Sequence, residues 1–363
     1  MLRAIRSAAA SLAALGIGAG AALAGDLTDG LKAGAPEVQS AGALAFGPDG
    51  VLFAADQAGG ALFALDTGDR GPSGAKPAPV AVEGIDAKVA GLLGTTPDQI
   101  LIRDMAVNPA SGKAYLSVAR GRGPDAPTAI VRVDAKGDVQ EFALKDVKFG
   151  RVELPGLATG RGRQDAITDL AYVDGRVFIA GLSNEEFSSS LRAVPFPFAG
   201  TGQQGAQVEI YHGAHGRFET TSPVRTFVPY EIKGQPYILA AYTCTPLVKF
   251  PVADLQPGAR VKGTTIAELG NRNKPLDMIV YQKDGHEYFL MANSSRGVMK
   301  IAAAGAGAQE GIIKRVSDKA GLSYETIDEL KGVEQLDKLG AENALVLARG
   351  EGGRLDLKTV ALP

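Results

Sequence analysis

Short apolar runs recur along the whole chain, each about the length of a strand and each closed by a turn. The clearest unit reads Ala43-Leu44-Ala45-Phe46, then Gly47-Pro48-Asp49-Gly50, then Val51-Leu52-Phe53-Ala54-Ala55-Asp56, then Ala61-Leu62-Phe63-Ala64-Leu65-Asp66. That is strand, Pro-Asp-Gly turn, strand, Gly-rich loop, strand. The pattern returns at Met105–Val107, Ala114–Val118 and Ala129–Val133. It returns again at Leu170–Val173 and Val177–Ala180, with a delayed third strand expected at Val208–Tyr211. Three further copies begin at Thr226–Tyr230, Met278–Tyr281 and Glu334–Leu336.

Six copies of one strand unit predict an all-β chain, a six-bladed β-propeller. Seven blades remain the alternative if a copy hides near Ile312–Val316. The repeat spacing, about 50 to 65 residues, exceeds the roughly 40 to 45 of a minimal blade, so outer strands and insertions must fill the excess. Outer strands are expected at Ala78–Val82, Val139–Ala143, Thr265–Leu269 and Glu325–Leu330. The last copy lacks one, and the N-terminal stretch Pro36–Gln39 is expected to supply it and close the ring. Closure removes the open sheet edges that would otherwise pair with other chains.

Several repeats begin on an acid: Asp104, Asp169 and Asp277, with Glu334 in the last copy, Arg225 in the fourth and Ala43 in the first. In a blade, the loops before the first strand and after the second share one face. These six residues are therefore expected to ring a channel entrance, flanked by loops carrying Cys244, Asn293 and Arg272. The insertions Ile85–Gln99, which has helical spacing, Lys145–Ala166, Ser183–Gln207 and Gly270–Pro275 are expected on the same face. Long loops gathered on one face of a rigid scaffold mark its working side. Converging carboxylates need a cation or arginines to offset their repulsion. Hard oxygens suit calcium or magnesium, with Asp104, Asp169, Asp277 and Asn293 as the expected ligands.

The first unit, Leu44 to Asp56, is similar to repeats of NHL-like propellers and of the senescence-marker-protein/gluconolactonase and strictosidine-synthase propellers. The resemblance implies the architecture. In gluconolactonase-like members, acidic and Asn residues at the channel mouth hold a divalent metal, usually calcium. This chain departs from that pattern at Ala43, where a Glu is expected.

Composition narrows the reading. Thirty-eight basic residues face 40 acidic ones, which leaves no electrostatic case for nucleic acid. Trp is absent, which sets aside Trp-docked blade repeats. Arg3 and Arg6 precede the apolar run Ala8–Ala22, and Ala22-Leu23-Ala24 is a signal-peptidase site. Residues 1–24 are thus expected to be a cleaved leader, leaving 25–363 as one propeller domain, periplasmic or secreted, monomeric and without a membrane span. Cys244 is the sole cysteine, so no intramolecular disulfide forms. All three histidines, His212, His215 and His286, are expected in turns on the face opposite the entrance, which deprives the ring of a histidine base. The expected function is binding of a small polar ligand or an exported protein partner at the acidic entrance. The alternative is a calcium-dependent lactone or ester hydrolase.

Overall fold

A computed structural model describes residues 26–71, 76–123, 125–244 and 246–363. The expected leader, 1–24, lies outside them. Six sheets, antiparallel apart from Arg260–Lys262 added parallel to Ala206–His212, stand in a ring among the described residues, so the chain is a six-bladed β-propeller. The inner strands, in chain order, are Ala41–Phe46, Ile100–Val107, Asp169–Val173, Val224–Ile232, Pro275–Lys283 and Val333–Leu339. Ile312–Val316 forms no strand, so no seventh blade arises there.

The middle strands read as unbroken apolar runs because each blade is covered on both faces by its neighbours. Val51–Asp56, for example, is buried at all six positions. The packing between blades also fixes their order around the ring. Leu44 and Phe63 of blade one pack on Tyr115 and Ile130 of blade two. The other face of blade one, with Phe53 and Leu62, packs on Leu170 and Val177 of blade three. Blade three then meets four, four meets five and five meets six. Blade six meets blade two, through Leu345 and Leu357 against Met105 and Leu116. Around the ring the order is therefore two, one, three, four, five, six.

Two crossing segments produce this exchange. After blade one the chain gives the two-residue strand Ala81–Val82 to the outer edge of blade six, opposite Lys358 and Leu357. The helix Ile85–Leu92 follows, burying Ile85, Val89 and Ala90, and blade two is built between blades six and one. After blade two, Val147–Glu153 returns to blade one as its fourth strand, pairing Phe149 with Leu65 and Glu153 with Ala61, and Lys32–Gly34 adds outside it. Blade three then forms on the far side of blade one.

These pairings correct four expectations. The ring is closed by Ala81–Val82 and not by Pro36–Gln39, which forms no ladder; the nearby Gln39 and Ser40 N–H groups donate to the Asp56 carboxylate instead. Ala81–Val82 is consequently not an outer strand of blade one; its fourth strand is Val147–Glu153, inside what the sequence marked as an insertion, with Lys32–Gly34 paired outside it. Ser183–Gln207 likewise contains the true third strand of blade three, Ser189–Pro195. Ala206–His212, expected as that third strand, is the fourth.

Candidate functional site: an acidic central cavity

Each inner strand is a sheet edge, so its N–H groups on the channel side have no ladder partner. Aspartates satisfy them in a repeated way. The Asp104 carboxylate accepts the N–H of its own neighbour Met105 at 2.8 Å and that of Leu44 in blade one at 2.6 Å. Asp169 does the same with Leu170 and, in blade four, Phe227, both at 2.8 Å. Asp277 holds Met278 at 2.8 Å and Leu336 of blade six at 2.9 Å. A fourth residue, Asp337, holds Lys338 and, in blade two, Val107, both at 2.7 Å. Each carboxylate thus staples two adjacent blades.

All four aspartates line one central cavity of about 410 Å³. Its walls run from the aspartates toward the C-terminal ends of the inner strands, past Phe46, Val107, Val173 and Val280 to Pro109 and Lys338. The cavity therefore extends from the carboxylates away from the face that carries the strand-start loops. On that face the loops bond to one another: the Gln57 side-chain amide donates to the carbonyls of Gln164 and Ile167, and Gln335 donates to that of Arg103.

Burial in the ring outweighs the two N–H bonds at every carboxyl. Desolvation, followed by repulsion from Asp169, pushes Asp104 up to about 8. Desolvation raises Asp169 to about 7 and Asp337 to about 6. Asp277 is driven well above the carboxylate range by desolvation and then by Asp104 and Asp169. Among the described residues, none of the four forms an ion pair with an arginine, lysine or histidine.

The structure brings Asp104, Asp169 and Asp277 together and separates the other candidates from them. A register irregularity explains two cases. Pairing jumps from Ile102 to Asp104, from Val224 to Thr226, from Pro275 to Asp277 and from Val333 to Gln335. The extra residue in each bulge is Arg103, Arg225, Leu276 or Glu334. The rung shared with Asp104 and Asp277 is thus held by Thr226 and Gln335, one residue beyond Arg225 and Glu334. A one-residue slip turns a side chain to the other side. Arg225 accordingly pairs with Asp165 at 2.6 Å, and Glu334 receives two bonds from the Arg349 guanidinium.

The remaining candidates serve the loops. Asn293 is buried, and its side-chain oxygen accepts the N–H groups of Ser295 and Arg296, both at 3.2 Å, while its amide donates to Asn273. It does not line the cavity, so it is not in the carboxylates' donor set. Cys244 is half-buried in a left-handed turn, its N–H bonded to the Asn273 carbonyl. Exposed Arg272 contributes its carbonyl to Ser295. Asp337 escaped the sequence pattern because it stands two residues beyond the bulge; its signal was the even spacing from Gln335 along one side of the strand.

The calcium implied by the gluconolactonase-like resemblance can be tested against these residues. The four carboxylates present hard oxygens, and each oxygen keeps a lone pair beyond the one given to an N–H. That chemistry suits a cation, but among the described residues no three of these carboxylates bring ligand oxygens within 4.8 Å of one another, so they do not close on a single hard ion. Among the described residues lining the cavity there is no histidine, cysteine, serine or threonine.

No protein-family profile matches the chain, and no curated protein sequence does. Solved structures to which it is similar are propeller folds, among them sugar dehydrogenases, a gluconolactonase-like protein and a WD40 domain. The PQQ-bound aldose sugar dehydrogenase of Streptomyces coelicolor is 12% identical, with 91% of this chain and 96% of that one covered and a TM-score of 0.35. The WD40 β-propeller domain of Doa1 is 7% identical, with 91% and 95% covered and a TM-score of 0.32. The extracellular domains 1–2 of Drosophila Semaphorin 1b are 10% identical, with 92% and 87% covered and a TM-score of 0.40.

Proposed function

We propose that this chain is an exported binding protein whose central cavity takes a small, positively charged ligand, a compact organic cation spanning the separated carboxyl groups. One observation carries the reading: four carboxyl groups face a single cavity and none is ion-paired among the described residues, Lys338 in the wall offsetting only part of the charge on Asp337. A cation entering there would relieve both the mutual repulsion and the desolvation that hold these groups above their usual range. The apolar walls beyond the aspartates would exclude water from the contact and strengthen it. Export rests on the leader pattern of residues 1–24, with cleavage after Ala24, which N-terminal sequencing of the mature protein would test. The hydrolase alternative has less support, since the described residues lining the cavity offer neither a side-chain nucleophile of the Ser, Thr or Cys kind nor a histidine base.

Calorimetric titration of the purified mature chain with a panel of small ammonium compounds tests the reading. Saturable 1:1 binding, weakened in Asp169→Asn and in Asp104→Asn, is the expected result. Heats that do not saturate for any of these cations would overturn it.

A further inference from the structure

The acidic cavity leaves a second cluster unused. The hairpin joining the strands Ala206–His212 and Arg217–Glu219 carries His212, His215 and Glu219, spaced as His-x-x-His-x-x-x-Glu. In its ladder His212 stands opposite Arg217, and Ile210 opposite Glu219. With side chains alternating, His212 and Glu219 therefore share one side of the hairpin. The turn folds back so that the Gly216 N–H reaches the His212 carbonyl at 2.8 Å, which stacks the His215 ring on that of His212 with centroids 3.9 Å apart. His212 Nδ1 lies 3.0 Å from one Glu219 oxygen and His215 Nδ1 lies 2.6 Å from the other. One candidate ligand atom from each of the three residues lies within 4.8 Å of the other two.

From this geometry we infer that His212, His215 and Glu219 bind a divalent transition-metal ion of the zinc class. Two imidazoles and one carboxylate are a recurring zinc donor set, with a fourth position open to water. Borderline imidazole nitrogens favour zinc, copper or nickel over calcium. Burial also leaves this cluster's hydrogen bonding incomplete. His212 is 2% exposed, and its Nε2 has no hydrogen-bond partner among the described residues. A buried imidazole with one nitrogen unmatched is costly for a purely hydrogen-bonded cluster. The ligand-bearing loop is also held from outside: Glu268, wholly buried in the fourth strand of blade four, accepts the Gly213 N–H. Ser222 donates to the Glu219 carboxylate at 2.9 Å, the kind of supporting contact that orients a metal ligand.

The placement corrects an expectation. Glu268 pairs with Pro246, at the end of the third strand of blade four that adjoins the strand-start loops. His212 and His215 therefore lie at the rim on that side and not on the opposite face. An ion there would tie the hairpin of blade three at a point where Glu268 of blade four already holds it. Only His286, in the turn between the first two strands of blade five, lies on the opposite face.

The test uses the full mature chain, stripped with a chelator and titrated with zinc against a chromogenic competitor. Cobalt absorption then reports the coordination geometry. One zinc per chain is expected, with cobalt giving the visible bands of a four-coordinate site. Affinity should fall by about a hundredfold or more in His215→Ala and in Glu219→Gln. His215 is partly exposed, so its removal should leave the melting temperature of the metal-free protein unchanged, and Glu219→Gln preserves the shape of the buried partner. Absence of stoichiometric binding would overturn the inference. So would zinc affinity left intact in both variants, which would place the ion elsewhere.

Discussion

The Asp337 carboxylate accepts the Val107 N–H at 2.7 Å, across 230 residues of sequence and across the junction where the last blade meets the second. The same bond fastens the ring at its closure and places a fourth acid in the cavity. Replacing Asp337 by Ala removes two acceptors and leaves the Val107 N–H orphaned at a sheet edge. At pH 5 this should cost about 1–3 kcal/mol, read from urea unfolding. At pH 8 the loss should be smaller, because deletion also removes a charge that repels Asp104 and Asp277. An equal loss at both pH values would show that the charge does not matter.

Stability of the whole chain should fall as pH rises from 4 to 8. The unfolded carboxyls lose their protons near 3.9. Folded Asp337, Asp169 and Asp104 hold theirs to about 6, 7 and 8, and Asp277 is also raised. Over this window the folded state binds more protons, so unfolding free energy decreases with pH. The contribution is fully present below the unfolded value and is lost as pH passes through the folded ones. Each proton held gives a slope of about 1.4 kcal/mol per pH unit. Unfolding series across pH, in chelator, would check the sign, and a saturating cation should flatten the decline.

Asp169 and Asp104 are coupled through the cavity. Among charged neighbours Asp169 contributes most to raising Asp104, second only to desolvation. Asp169→Asn should therefore lower the Asp104 titration midpoint from about 8, measured by carboxyl carbon NMR. An unmoved midpoint would mean that desolvation alone sets it.

The two-residue strand Ala81–Val82 should be worth more than its length suggests. Val82 is 2% exposed, packed in the core between blades two and six, and its neighbour Val80 exchanges hydrogen bonds with Thr359. Val82→Asp buries an unpaired charge there, at a cost on the order of 3 kcal/mol or more. Amide exchange of Thr359 should rise ahead of that in the inner strands. Uniform exchange across blade six would argue against a local opening of the closure.

Strand identity was legible in the chain because alternation and turn residues are local properties. Val51–Asp56, Leu247–Phe250 and Phe289–Ala292 are strands wherever they are placed, and the Asp-led starts at 104, 169 and 277 marked inner strands correctly. Six blades followed from counting them. Which acids meet did not follow, because a bulge of one residue shifts the side-chain phase. That shift moved Arg225 and Glu334 off the shared rung and brought in Asp337. Blade order was equally out of reach. Nothing within Ala81-Val82 or Val147–Glu153 says that one serves blade six and the other blade one, since such short segments are claimed by whichever open edge the packed ring presents. The sequence by itself determined the strands and the supply of carboxylates. Tertiary pairing decided the ring order, the phase of each strand and hence the four-aspartate cavity.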